Sequence, residues 1–215
     1  MLPSDLSTSF GASHSLSLIQ NKSAFSVRQK RELLEVFTGF EPKSKYEIST
    51  TDGETVAFAV EISKGFLGFL MRLSLKAARP FTIQAVTGTG ELLFKAVRPW
   101  TWFFARMEVF NGAGALVGTI QRRFHLLRRY DVTAADGRFV GQLQGPLFKP
   151  WTFRLMRDEV EVGKITKKWS ELLKEAFTDA DNFGVELGAS LNGDDRLILL
   201  GATFLIDAAH FENKG

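Results

Sequence analysis

Four stretches of this chain repeat one pattern: FTIQAVTGTGELLFKAV, ARMEVFNGAGALVGTIQ, RRYDVTAADGRFVGQLQ and TFRLMRDEVEVGKITKK. Each is an alternating apolar run, a turn rich in Gly, Asp or Asn, and a second alternating run. That is the signature of a β-hairpin with one buried face. The turn glycines Gly90, Gly114 and Gly137 lie 24 and 23 residues apart, and a second series, Gly118, Gly141 and Gly163, follows at 23 and 22. Glycine supplies the positive φ that tight hairpin turns require. An earlier copy, YEISTTDGETVAFAVE, turns at Asp52-Gly53. Five hairpins make ten strands, and stretches near Ser15–Ile19 and Phe183–Leu187 raise the number to about twelve. Strand twist curls a sheet of that size, and closure removes its exposed edges. A closed barrel of about twelve strands is wider than its own side chains can fill, so something else must occupy it.

The segment LILLGATFLID, Leu197 to Asp207, has ten uncharged residues and then a carboxylate. As a helix from Asp195 to Phe211 it is 17 residues long, roughly 25 Å at ~1.5 Å per residue. Its apolar part covers roughly 15 Å, against a hydrocarbon core of about 30 Å. Asp207 would cost roughly 2.5–3.5 kcal/mol at mid-bilayer. Asn192-Gly193-Asp194-Asp195 ahead of it supplies cap residues and acidic charge suited to a helix N-terminus. A helix apolar all round is a buried one. The fold class expected is therefore mainly β: a closed antiparallel barrel of about twelve strands around a buried C-terminal hydrophobic helix. The expected organisation is a partly flexible N-terminal segment, 1–20, followed by one domain, 21–215.

Several function classes are disfavoured. Without cysteine there is no disulfide, thiolate nucleophile, Cys-ligated zinc or palmitoylation site. The histidines are His14, His125 and His210, little for a nucleophile–base pair. No GxSxG, P-loop, HExxH or dinucleotide fingerprint appears, so the chain reads as a non-enzyme. Asp207 and His210, three apart on the helix, read as a buried pair rather than metal ligands. The start MLPSDLSTSFGASHSLSLIQ lacks a basic n-region and a continuous apolar h-region, and Leu2 stands where myristoylation needs glycine. The expected location is cytoplasmic, peripheral on the inner face of the plasma membrane. Net charge is +3, too mild to imply nucleic acid by itself.

Several blocks resemble the phospholipid scramblase family. ELLEVFTGFEPKSKYEI (Glu32–Ile48) is similar to the family's opening motif. Arg79-Pro80-Phe81 and Arg98-Pro99 resemble its two Arg-Pro signatures. GTIQRRF, GKITKKW, EAFTDADNFGVEL and LLGATFLIDAAHFE resemble its C-terminal half. The resemblance implies a tubby-like fold, a twelve-stranded barrel around a C-terminal hydrophobic helix. It also implies lipid association, with calcium-dependent, energy-independent movement of phospholipids between leaflets. The cysteine cluster of animal members is missing, so membrane contact is expected to be reversible and non-covalent.

Four stretches offer candidate sites. The resemblance places a calcium-binding loop at Asp179–Ser190. Asp179 and Asp181 stand at positions 1 and 3 of such a loop, but Phe183 and Ser190 fill positions that need oxygen ligands. Calcium is the one cofactor expected, weakly held, and the alternative is an ordinary turn into FGVEL. In KGFLGFLMRLSLKAAR, Phe66, Phe69, Leu70 and Leu73 follow helical spacing, with Arg72, Lys76 and Arg79 on a narrow stripe. This reads as a membrane-contact helix or as a connector over a barrel mouth. Arg122, Arg123, Arg128 and Arg129, with Lys167 and Lys168, make one basic face if their two hairpins are neighbours. Anionic headgroups would attract each by about 1 kcal/mol, nucleic-acid phosphates would suit the same face, and plain solvated charge is the alternative. RPWTWFF, Arg98 to Phe104, reads as barrel core in preference to an interfacial aromatic belt. The expected function is scramblase-related peripheral phospholipid binding. The alternative is a phosphoinositide- or nucleic-acid-binding tubby-like regulatory module. The expected partner is an anionic phospholipid surface, with nucleic acid second; the oligomeric state is not readable.

Overall fold

The alternating runs pair as the repeat demands. The computed structural model describes residues 16–30, 45–62, 80–146, 148–149, 151–167 and 182–211. Its strands are β1 (Ala24–Lys30), β2 (Lys45–Thr50), β3 (Thr55–Ile62), β4 (Phe81–Thr87), β5 (Leu92–Arg98), β6 (Arg106–Asn111), β7 (Leu116–Arg122), β8 (Arg128–Ala134), β9 (Phe139–Gly145), β10 (Thr152–Arg157), β11 (Val160–Lys167) and β12 (Asn182–Leu187). Each is antiparallel to the next, and β12 pairs with β1 (Phe25 opposite Val185), so the meander closes into a barrel. The first strand is Ala24–Lys30, not the stretch near Ser15–Ile19. Residues 16–20 form a short helical segment whose Ile19 is fully buried, with Leu16 and Leu18 packed against the core.

One turn design serves four hairpins. Thr50, Thr87, Asn111 and Ala134 each accept at their carbonyl from the amide of Gly53, Gly90, Gly114 or Gly137. Those glycines have φ between +82° and +87°, which is why the glycine spacing was visible in the sequence. The β10–β11 turn instead puts Asp158 and Glu159 at φ 50° and 63°, both central residues left-handed as in a type I′ turn. Beyond each turn the register shifts by one residue. Val56, Leu93, Val117, Val140 and Val162 are the extra residues, and each is buried beside the next inward-facing position. A bulge repeated at one level of a barrel coils every hairpin the same way.

Helix α1 (Gly193–His210) fills the interior. Asn192 caps it: its side chain accepts from the Asp195 amide at 2.8 Å while its own amide donates to the Asp195 carboxylate at 3.3 Å, a reciprocal capping pair. Leu197 through Leu200, Ala202 and Leu205 are fully buried. Among the described residues no helix is long and apolar enough to cross a membrane. The second glycine series does not mark turns: Gly118 and Gly163 face α1, and Gly141 faces Leu155 and Met156 of β10. Gly118, Gly141 and Gly163 lie within strands, and a Cβ on Gly163 would come 2.8 Å from Leu199 Cδ2. On the helix side, a Cβ on Gly201 would lie 2.8 Å from Val109 Cγ2. Wall and helix therefore meet nearly backbone to side chain.

Gly118 offers the sharpest test of this fit, because its added Cβ would lie 2.5 Å from the Thr133 carbonyl oxygen and also overlap Ile198. Gly118→Ala should lower unfolding stability by about 1–3 kcal/mol. Ile198→Val in the same chain should restore only part of it, since the backbone oxygen cannot retreat. Urea denaturation of the three variants decides.

Candidate functional site

An up-and-down barrel puts alternate connections at opposite ends. The glycine turns gather at one end with the N-terminus of α1. There Arg138, from the β8–β9 turn, holds Asp195 through two contacts of 2.7 and 3.3 Å. Arg196 donates to the carbonyls of Leu191 (3.0 Å), Ile19 (3.2 Å) and Lys22. The helix start is thereby tied to the turn end. The other end, the loop end, receives the β1–β2, β3–β4, β5–β6, β7–β8, β9–β10 and β11–β12 connections and the C-terminus of α1.

Inward residues follow the period of two along each strand. Phe94 and Ala96 lead to Arg98; Gly118 and Ile120 to Arg122; Val132 and Tyr130 to Arg128; Gly163 and Ile165 to Lys167; Ala57 and Ala59 to Glu61. The last inward position of five strands is thus charged, and these charges meet the final turns of α1. Arg98 is 2 % exposed, its guanidinium 5.7 Å from the Phe81 ring centroid. Arg128 lies 5.2 Å from the Phe153 ring and donates to the Pro146 carbonyl at 3.2 Å. The Lys167 ammonium sits 4.2 Å from the Phe211 ring, 5.4 Å from Phe183 and 3.7 Å from Asp207 Oδ1. The Tyr46 hydroxyl donates to Asp207 Oδ2 at 3.0 Å, and Tyr130 Oη lies 2.7 Å from His210 Nε2.

The electrostatics follow from burial first and from the arginines second. Desolvation pushes the Tyr130 phenol up to about 12, while Arg122, Arg98 and Arg128 pull it the other way. Desolvation, then Arg128 and Arg122, push the His210 imidazole down to about 4. His210 is therefore neutral near pH 7 and shares a hydrogen bond with the Tyr130 hydroxyl through Nε2. Desolvation also lowers Arg128. Among the described residues, Arg98, Arg122, Arg128 and Lys167 thus gather at the mouth with the buried carboxylates Glu61 and Asp207. Planar guanidinium forks suit phosphate oxygens. Among the described residues no group of three His, Cys, Asp or Glu side chains could hold a metal ion.

Arg122 and Arg128 share this mouth. Arg123 and Arg129 alternate to the outer wall, where Arg123 Nε meets Asp131 Oδ2 at 2.5 Å. Lys167 points inward, and β9 and β10 separate β8 from β11. The basic face conditional on neighbouring hairpins is not formed by Arg122, Arg123, Arg128, Arg129 and Lys167, which divide between mouth and outer wall; the outward Lys164 is paired with Glu186 at 2.8 Å. Asp179, Asp181, Lys168, Phe66, Phe69, Leu70, Leu73, Arg72, Lys76 and Arg79 lie outside the described residues. RPWTWFF is not barrel core: Pro99, which cannot donate to a ladder, follows β5, and Trp102 and Phe103 are 69 % and 84 % exposed. Asp207 and His210 do not pair with each other but with Tyr46 and Tyr130. The sequence named Arg98 only within its Arg-Pro pair and RPWTWFF, and did not single out Tyr130. Their signal was parity, since each stands two residues from a core position on an alternating strand.

A Scramblase family profile matches residues 4–213. Phospholipid scramblase 1 of Mus musculus is 33% identical over 204 residues, covering 88% of this chain and 61% of that protein. The Homo sapiens phospholipid scramblase 1 is 30% identical over 204 residues, covering 88% and 63%. The chain therefore spans about three fifths of the length of these relatives. A solved X-ray structure of an Arabidopsis thaliana protein matches with a TM-score of 0.48 at 15% identity, covering 87% of this chain and 93% of that one.

The buried imidazole has a measurable consequence. His210 titrates near 4 in the folded chain against 6.5 ordinarily, so between those values the unfolded state binds more protons. Stability should fall as pH drops through this window, by on the order of 2–3 kcal/mol from this group. His210→Gln, which can still hydrogen-bond Tyr130, should flatten that part of the profile in thermal melts taken across the window.

Proposed function

The chain belongs to the scramblase family, and on that premise we propose that it associates peripherally with phospholipid through the loop end of its barrel and moves phospholipids between leaflets. The observation that carries the reading is the cationic mouth. Arg98, Arg122, Arg128 and Lys167 gather at the loop end of the barrel, where headgroup phosphates are a complementary ligand. The anionic inner leaflet of a plasma membrane offers the matching surface. Movement of a lipid makes and breaks no covalent bond, so the reading needs no catalytic group. Strands enclose α1, so the helix does not line the lipid path; lipid contact starts from the mouth and the outer wall. Calcium would act through Asp179 and Asp181.

Co-sedimentation with phosphatidylcholine and phosphatidylcholine–phosphatidylserine vesicles tests the binding. The wild type should prefer the anionic vesicles, and Arg122→Gln with Arg128→Gln should weaken that preference on the order of tenfold. A nucleic-acid role would show as stronger competition by an oligonucleotide than by lipid. Lipid movement is read in vesicles carrying a fluorescent lipid bleached by dithionite, with and without calcium. The signal should fall below the inner-leaflet plateau, and Asp179→Asn with Asp181→Asn should remove any calcium response. No vesicle binding at low salt defeats the reading; a plateau that stays put defeats lipid movement and leaves binding intact.

A further inference from the structure

The loop end carries a second feature that the cationic mouth does not use. Phe103 is 84 % exposed, Trp102 69 %, Phe124 and Leu126 each 92 %, and Phe148 96 %. Among the described residues these five are the most exposed large apolar side chains, and all stand on three connections of one end: 99–105, 123–127 and 146–151. The first two connections touch, with the Phe104 and Phe124 rings edge-on at 6.3 Å. Trp100 and Trp102 are likewise edge-on at 4.4 Å. Elsewhere, exposed apolar residues such as Leu116, Phe139 and Val160 are single outliers on separate strands, which is ordinary for a protein surface.

Charge sorts along the same axis. The three connections contain Arg123, His125 and Lys149 and no carboxylate. The turns at the other end carry Asp52, Glu54, Glu91, Asp136, Asp158 and Glu159 against Arg138. An anionic surface therefore attracts these three connections and repels the turns of the other end. A side chain that is nine-tenths exposed lies against almost none of its own protein. A folded partner would need a pre-shaped pocket for each such projection, whereas the fluid boundary between headgroups and acyl chains accepts any shape. Trp and Phe beside Arg and Lys is also the composition that settles at that boundary.

We propose that the protein docks end-on on an anionic bilayer, with Trp102, Phe103, Phe124, Leu126 and Phe148 inserted into the headgroup–acyl boundary. This rests on the phospholipid reading above and adds the depth and orientation of contact. The barrel axis stands steeply to the membrane, the acidic turns point away from it, and the cationic mouth lies level with the phosphates.

The test uses the full chain and phosphatidylcholine–phosphatidylserine vesicles. Phe103→Ser, Phe124→Ser and Phe148→Ser together touch no core side chain, so the thermal melt should match the wild type while vesicle partitioning falls about a hundredfold. With lipids brominated high on the acyl chain, bound wild type should show tryptophan quenching that Trp102→Phe largely removes. The insertion is overturned if the wild type binds and the triple variant binds equally, or if bound Trp102 is not quenched. It is also overturned if the triple variant loses self-association and keeps vesicle binding, which would make the tips a protein interface. Should the triple variant melt early, the quenching comparison alone decides. A wild type that binds no vesicle overturns the insertion and the phospholipid reading together, an outcome distinct from failure at the tips.

Discussion

A barrel of twelve strands cannot close on itself without a filling, and the rest of this structure answers that constraint. Helix α1 occupies the axis, and the wall is adjusted to receive it. Glycine at 118 and 163 clears room for Ile198 and Leu199, and Gly201 returns the clearance toward Val109. The bulges at Val56, Leu93, Val117, Val140 and Val162 coil the hairpins at one level, so strand curvature and helix diameter are set together. Packing at this density leaves little room for compromise. The same segment that looks like a membrane anchor by composition is thereby surrounded by strands, and its apolar surface is buried within the chain that carries it.

Filling the axis with a helix also makes the barrel's two ends unlike. A helix has exposed amides at one end and exposed carbonyls at the other. At the turn end, Asn192 and Asp195 satisfy amides, and Arg138 and Arg196 tie helix, turn and 16–20 segment together. At the loop end, the helix terminus meets cations, which its partial negative charge favours. Lys167 is consumed there by Asp207 and two aromatic rings. Burial first, and then Arg128 and Arg122, keep the imidazole of His210 neutral. The mouth therefore gathers cations from several strands around the carbonyl end of the helix.

Much of this was legible in the sequence, for identifiable reasons. Turn glycines at regular spacing report positive φ directly, so the hairpins were visible. The length of LILLGATFLID set against bilayer thickness placed the helix inside. What escaped was whatever depends on which strand lies next to which. Arg122 and Lys167 look alike in sequence, yet two intervening strands and inward parity keep them off a common outer face. RPWTWFF has the composition of a core, and only the proline that ends β5 turns it outward. Ser15–Ile19 alternates well enough for a strand, yet it is followed by Phe25 and Val27, fully buried on β1, which pair more deeply with β12 and leave the earlier residues to cover the barrel's base.

The same topology explains why apolar tips and buried cations coincide at one end. In an up-and-down barrel the short glycine turns are confined to one end, where positive φ and tight geometry leave no space for large side chains. Longer connections fall at the other end, and only these can lift a tryptophan or phenylalanine clear of the wall. Strands β5, β7 and β8 meet the first two tip-bearing connections, 99–105 and 123–127, at inward Arg98, Arg122 and Arg128, and Arg128 reaches the Pro146 carbonyl at the start of the third. Association with a charged, fluid surface requires both an electrostatic approach and apolar insertion. Here neither needed a separate element: both follow from placing the long connections and the carbonyl end of α1 at the same rim.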